Sequence, residues 1–256
     1  MKEPISIVIP AYNEESRIAP TLTRIHSYFR DKGSGFEIIV VDDGSSDNTA
    51  LVVKDLSERL GEIRLIRLSD NAGKGGAIKS GVGSAGGALV LTCDADLSTP
   101  IEEVEKLSAF LQRGFDIAIG SRGLSESNLV VRQPWYREKM GKMFNNFVNF
   151  LVLKGIRDTQ CGFKLFHGDI ARRLFSRSLI RGFAHDVEIL FLARKDGYKI
   201  AEVPVKWLNA PGSKVRLLRD PLKMFLELVR IRSYYITGKY QCKLGKNESV
   251  SFPDPN

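Results

Sequence analysis

Cysteine and histidine are scarce, three of each among 256 residues. Cys93, Cys161 and Cys242 are too scattered for a disulfide framework or a thiolate zinc site, and they suit a reducing compartment. His26, His167 and His185 show no metal-ligand spacing. His26 falls on a predicted helix and is expected at its surface. No Ser–His–Asp arrangement can be argued from the order of residues. Long apolar runs are missing too: Phe147–Leu153 is among the longest and is interrupted by Asn149, far short of the ~20 residues of a membrane span. Met1-Lys2-Glu3 leads straight into Ile5–Ile9 and Pro10, too short for a signal-peptide core. The expectation is a cytoplasmic chain, in contact with a membrane only at its surface.

What is present is ordinary for a globular protein: 43% hydrophobic and 27% charged residues. The length suits one large domain, expected over residues 1–240, with 241–256 as a disordered tail. The net charge of +8 is unevenly placed. Residues 1–205 are almost neutral, whereas 206–246 hold ten Lys or Arg against Asp220 and Glu227. Such a segment suits an acidic partner: nucleic acid, a membrane surface or a phosphorylated substrate.

Ile5–Ile9, Phe36–Val41, Ala88–Cys93 and Phe115–Gly120 read as buried strands, and Glu62–Leu68 as a more alternating one. Ser16–Arg30, Ala50–Leu60 and the glycine-rich Lys74–Ser84 read as helices between them. For Ile101–Arg113 the pattern predicts Thr99 as N-cap, Pro100 at the first position and Glu102 closing a capping box. This alternation predicts a parallel α/β sheet. Ligands then bind beyond the carboxyl ends of the strands. Further on, the pattern predicts helices over Pro134–Lys154, Asp169–Ser176 and Asp186–Asp196. Asp158–Phe166 reads as irregular or strand-like, and Ile200–Trp207 as a strand. Asn209–Lys214 reads as a turn-rich loop, and Asp220 as the cap of a last helix starting at Pro221.

The strand-end segments carry the chemistry. Asp94-x-Asp96 can hold a divalent cation that bridges phosphate oxygens, since Mg²⁺ uses only one or two protein carboxylates. The plain alternative is a solvated turn. Asp42-Asp43-Gly44 is either a turn or a carboxylate accepting from a base N–H or from ribose. Gly73-Lys74-Gly75-Gly76 fails as a P-loop, because Leu68 stands where the first glycine belongs and Gly75 follows the lysine. No G-x-G-x-x-G follows the first strand. In the last helix Leu222, Phe225, Leu226, Val229 and Ile236 form an apolar stripe flanked by Lys223, Arg230 and Arg232. Residues 220–236 either lie in a membrane interface or pack one face on the core.

Taken together, Ser6–Glu14, Val41–Thr49, Asn71–Ala77 and Asp94-Ala-Asp96 closely resemble the family-2 glycosyltransferases of GT-A fold. Gly120-Ser-Arg122, Asp158–Lys164, Phe183–Glu188, Val203–Trp207 and Gly212-Ser-Lys214 look most like the dolichyl- and polyprenyl-phosphate glucosyltransferases. The resemblance implies a Rossmann-like, mostly parallel sheet flanked by helices, with a C-terminal amphipathic helix. It implies a metal-dependent, inverting transfer of a hexose, glucose from UDP-glucose, to a polyprenyl phosphate, giving a β-linked product. Mannosyl transfer from GDP-mannose and non-catalytic nucleotide-sugar binding are the alternatives. Pro10, Ala11, Tyr12, Glu14, Asp42, Asp43, Lys74, Asp94 and Lys214 are implied on the donor. Arg122, Gln160, Lys164 and Asp186 are implied on the acceptor. Asp94 and Asp96 would hold Mg²⁺ or Mn²⁺. Asp94, Asp96, Asp186, Arg122 and Lys214 would carry catalysis. Nucleic acid is not an expected partner, given the neutral body and the lack of a binding module.

Overall fold

The computed structural model describes residues 3–129, 135–208 and 219–241. In chain order β1 (Ile5–Ala11), α1 (Ile18–Lys32), β2 (Phe36–Asp42), α2 (Thr49–Arg59) and β3 (Ile63–Arg67) come first. Next are α3 (Gly73–Gly83), β4 (Leu89–Thr92), a 3₁₀ turn (Ile101–Glu103), α4 (Val104–Gln112) and β5 (Ile117–Ser121). β6 (Asn128–Leu129), α5 (Trp135–Leu151), β7 (Lys164–His167), α6 (Gly168–Arg177) and α7 (His185–Lys195) follow. β8 (Ile200–Pro204), β9 (Lys206–Trp207) and α8 (Arg219–Ile236) complete the order.

Seven strands form one sheet in the order β3-β2-β1-β4-β7-β5-β8, and β6 pairs with β9 separately. All pairings in the large sheet are parallel except those of β7, which runs antiparallel between β4 and β5. The expected mostly parallel α/β architecture is therefore present. Strand residues alternate between two cores, as a period of two requires. Ile5, Ile7, Ile9, Ile38, Val40, Leu89 and Leu91 face one core, with α1 and α4. Val8, Ile39, Val41 and Val90 face the other, with α3, α6 and α7. Two apolar faces explain why these strands read as unbroken apolar runs.

Strand order reverses between β1 and β4, so the crevice for a ligand opens at the carboxyl ends of those strands. β7 runs the other way, so its first residue arrives at this same edge: Lys164 stands opposite Thr92 on one side and Ile119 on the other.

Four local expectations are corrected. His26 is buried, and its Nε2 lies 3.0 Å from Glu62 Oε2, because that face of α1 packs beside Phe36. The capping box does not form: Pro100 precedes a 3₁₀ turn without a side-chain cap, and α4 starts only at Val104. Glu102 pairs with Arg24 of α1 instead, and Thr99 is buried toward Cys161, so tertiary contacts displaced the local motif. The strand over Ile200–Trp207 is split, since β8 pairs with β5 and β9 with β6. α8 begins at Arg219, which puts Asp220 and Pro221 inside its first turn. A proline fits there because first-turn N–H groups have no intrahelical partner. Lys214, its loop and the expected tail from 242 onward lie outside the described residues.

Candidate active site

Two strand-end loops zip together at the β1/β2 end. Asn13 N donates to Ser45 Oγ (2.9 Å), Ser46 N donates to Asn13 Oδ1 (2.8 Å), and Glu14 N donates to Thr49 Oγ1 (2.7 Å). This seats Pro10 and Ala11 in β1 and leaves the Tyr12 ring exposed beyond it. The Glu14 carboxylate is buried and bonded to Arg17. Asp42 is fully buried at the end of β2. Its Oδ1 accepts from Ser45 N at 3.2 Å, while its Oδ2 has no hydrogen-bond partner among the described residues and stands 3.5 Å from Arg67 Nε. A buried acceptor left open is a place for a ligand N–H or hydroxyl. Asp43 does a different job from its neighbour: its Oδ1 accepts from Ala72 N (2.7 Å), anchoring the start of α3. Burial holds its carboxyl above the usual carboxylate range, despite the amides of Ala72 and Gly73.

The turn after β4 carries Asp94 and Asp96. Asp96 Oδ1 accepts from Ser98 N at 3.0 Å, and Leu97 takes a left-handed φ of 47°. Strain of that kind persists where the surroundings over-determine it. Asp94 Oδ1 lies 2.6 Å from Lys74 Nζ. Lys74 is brought there by the first turn of α3, whose glycines allow close approach. A Cβ on Gly75 would fall 2.5 Å from Ile180 O and 2.6 Å from His185 Cβ. Gly75 N also donates to Arg181 O (2.8 Å). The motif that failed as a P-loop is thus a packing contact that delivers a lysine. Burial opposes the Lys74 charge, but Asp94, Asp186 and Asp96 more than restore it and raise the ammonium above its usual range.

Two further cation–carboxylate pairs close the site. Arg122, just past β5, is held by Asp158 in a fork: Nε to Oδ2 at 2.7 Å, Nη2 to Oδ1 at 2.9 Å, with Arg122 N also donating to Oδ2 at 2.9 Å. Its guanidinium lies over the Trp207 ring, 5.6 Å from the centroid. Lys164 Nζ donates to Asp186 Oδ1 (2.5 Å) and to Cys161 O, with the lysine side chain only 2% exposed. His185 Nε2 is 3.5 Å from the same Asp186 oxygen, and its Nδ1 is 2.9 Å from Gly182 O. Burial would push the Asp186 carboxyl up, but His185, Lys164 and Lys74 outweigh it and hold it at about 2. Burial pushes the His185 imidazole down, against the pull of Asp186.

A small cleft beside the Arg122–Asp158 pair is lined in part by Asp94, Arg122, Gln160, Gly162 and Trp207. Cys93 and Cys161 also line it, with thiols that burial pushes up, so they are unreactive walls. Gly162 passes so close to Asp94 that a Cβ would sit 2.3 Å from Oδ2. The structure therefore gathers Asp94, Lys74, Arg122, Gln160, Lys164 and Asp186 at one edge. Asp43 is turned to a structural bond, and Asp42 and Tyr12 stand at the β1/β2 end of that edge. Sequence reading missed Asp158 and Trp207 as partners of Arg122, and His185 as a neighbour of Asp186. All three lie inside segments it had singled out, but only the tertiary contacts give them a partner.

The family model for Glycosyl transferase family 2 matches residues 6–180, which spans β1 to the loop after α6. This chain belongs to glycosyl transferase family 2. Among curated relatives, the glycosyltransferase is 39% identical to the dolichyl-phosphate beta-glucosyltransferase of Homo sapiens, covering 93% of this chain and 77% of that one. It is 38% identical to the enzyme of that name from Dictyostelium discoideum, with the same coverages. Against that of Saccharomyces cerevisiae the identity is 36%, over 93% and 76%. Among solved structures, the glucosyl-3-phosphoglycerate synthase of Mycobacterium tuberculosis with phosphoglyceric acid shares the fold: TM-score 0.67, 21% identity, 90% of this chain and 78% of that one. The same enzyme with Mn²⁺, UDP-glucose and phosphoglyceric acid gives a TM-score of 0.64 at 19% identity, over 93% and 80%.

The donor set of this glycosyltransferase fits a divalent cation of the Mg²⁺ or Mn²⁺ type. Asp94 and Asp96 offer hard carboxylate oxygens, and the described residues hold no group of three or more His, Cys, Asp or Glu side chains arranged for a metal. Two carboxylates leave room for phosphate oxygens and water. No described helix is long and apolar enough to cross a membrane.

Proposed function

We propose that this glycosyltransferase moves glucose from UDP-glucose to a polyprenyl phosphate of the dolichyl type, with inversion, giving a β-linked lipid phosphate sugar. The observation that carries the reading is the convergence of Lys74–Asp94, Lys164–Asp186 and Arg122–Asp158 on one strand-end edge. The names of the relatives, dolichyl-phosphate beta-glucosyltransferases, supply donor sugar and acceptor class.

In this reading the Asp42 Oδ2 acceptor takes a base N–H or a ribose hydroxyl, with Tyr12 and the 10–14 segment beside it. Asp94 and Asp96 would hold Mg²⁺ or Mn²⁺, whose chemistry when bound is to withdraw charge from the departing diphosphate. Lys74 exchanges Asp94 for the diphosphate as negative charge grows there, and Lys214 serves the same charge. The acceptor phosphate is already ionised at neutral pH, so it attacks without a strong base. Arg122, Gln160 and Lys164 orient it, and Asp186 fixes Lys164 rather than taking a proton.

Contact with the cytoplasmic face of a membrane is proposed for α8. Met224, Leu228 and Ile231 pack one face of α8 on the core, while the expected stripe lies mostly outside that face; the Leu222 side chain is outside the described residues. Leu226, Val229 and Ile236 are exposed, beside exposed Lys223, Arg230 and Arg232. Phe225 meets Phe147 of α5 at 5.5 Å between centroids, and Phe147 and Met143 add exposed apolar surface.

The test is incubation with a panel of nucleotide sugars, Mg²⁺ or Mn²⁺ and a polyprenyl phosphate, with product mass as readout. UDP-glucose is expected to give the hexosyl lipid. Asp96→Ala is expected to lower that rate by roughly a hundredfold or more. Product from GDP-mannose instead, or full activity in the variant, would overturn the assignment.

A further inference from the structure

Glu227 is the one acid among the bases of residues 223–232 in α8, and a membrane-facing helix has no evident use for it. The structure gives it another direction. Its Oε2 accepts from Ala184 N at 3.3 Å. Its Oε1 fills the space beside Gly182: a Cβ there would fall 2.4 Å from that oxygen. Ala184 is the N-cap residue of α7, and α7 has no side-chain cap of its own. A carboxylate oxygen from another helix thus accepts the N–H of the N-cap residue, the bond that a capping-box side chain makes from within its own helix. The next two residues are His185 and Asp186. The start of the same segment is held separately, by Glu188 through Leu179 N (2.9 Å) and Ile180 N (3.0 Å), and by Gly75 N on Arg181 O (2.8 Å).

The geometry points to Glu227 as a positioning residue that ties α8 to the N-terminus of α7 and so sets where Asp186 holds Lys164, the group that meets the acceptor phosphate. The inference rests on the acceptor reading above. It means that lipid engagement by α8 and phosphate placement at Lys164 are mechanically linked through one carboxylate. Gly182 supplies a probe that leaves α8 intact: the nearest atoms to an alanine Cβ there are the far end of a flexible side chain, the Glu227 carboxylate, which must shift.

The experiment compares Glu227→Ala, Gly182→Ala, their double variant and Glu227→Gln in the full chain. Three readouts are taken: hydrogen exchange of the 182–187 amides, KM for donor and for polyprenyl phosphate, and binding to anionic vesicles. Glu227→Ala and Gly182→Ala are each expected to speed exchange at Ala184 and to raise the acceptor KM about tenfold. Donor KM and vesicle binding stay unchanged. Glu227→Gln keeps an acceptor oxygen and stays near wild type. The double variant is no worse than either single one, because both break the same contact. Unchanged exchange, multiplying effects, donor and acceptor KM rising together, or a damaged Glu227→Gln would each overturn the inference. Wild-type protein that fails to use polyprenyl phosphate would sink the acceptor reading alone, and the exchange comparison would still decide the contact.

Discussion

The two ends of the strand-end edge handle charge in opposite ways. At the β1/β2/β4 end, carboxylates are left with capacity: Asp42 Oδ2 lacks a hydrogen-bond partner among the described residues, and the Asp94 side chain is 38% exposed with a lysine that it shares. At the β5/β7/α7 end Arg122 and Lys164 are already matched. Arg122 is forked by Asp158, and Lys164 is buried on Asp186. Open acceptors suit hydrogen-bond donors and a cation brought by a ligand. Matched pairs suit a phosphate that must be met by groups already fixed in place, so little ordering remains to be done on binding. In the proposed reading the contrast separates a donor-recognition surface from a rigid acceptor platform.

The strongest way to break the contrast is to unpair the platform. Lys164→Met leaves Asp186 buried beside His185 without its ammonium. The expected loss is about 3–5 kcal/mol of stability, read from denaturant midpoints. A loss below ~1 kcal/mol would mean that the pair is not buried in solution. Adding Asp186→Leu to that variant is expected to return part of the loss, since the stranded charge is gone.

A second probe is pH. The Asp186 carboxyl is held at about 2, below its ordinary value of 3.8, by His185, Lys164 and Lys74 against the cost of burial. A depressed carboxyl stabilises the fold fully above the unfolded value and stops doing so as pH falls through the folded one. The stability gap between wild type and Asp186→Asn is therefore constant above about pH 5 and shrinks between about pH 4 and 2. A gap that shrinks at neutral pH instead would show that Asp186 is not so held.

The smallest effect is expected at the open end. Asp42→Asn keeps the Ser45 contact and swaps the open acceptor, so donor affinity falls about tenfold while stability moves by less than ~1 kcal/mol. Calorimetric titration with UDP checks it, and unaltered affinity would place the base elsewhere.

Legibility followed the same division. The β1, β2 and β4 strand ends could be read because each short apolar run stops at a polar cluster, and the crossover rule sends every such stop to one edge. Asp42, Asp94 and Asp96 were visible for that reason. β7 could not be placed, because an antiparallel strand inserted between β4 and β5 leaves no local signal. Arg122 and Lys164 were visible only through resemblance. Their partners Asp158 and Asp186 lie 36 and 22 residues away, and which face each side chain meets depends on strand order. His26 and Thr99 went the other way: local patterns were clear, and packing overrode them.

The sequence by itself determined the alternation of strands and helices, the edge at which the strand ends gather, and the carboxylates that stand there. Those follow from apolar periodicity and chain direction, which are local. Only the tertiary structure decided which charges are spent on one another, that the glycines of 73–76 and Gly182 are contact points, and that Glu227 faces the protein. Those depend on distances between segments far apart in the chain, where burial sets the strength of every pair and composition cannot say who the partner is.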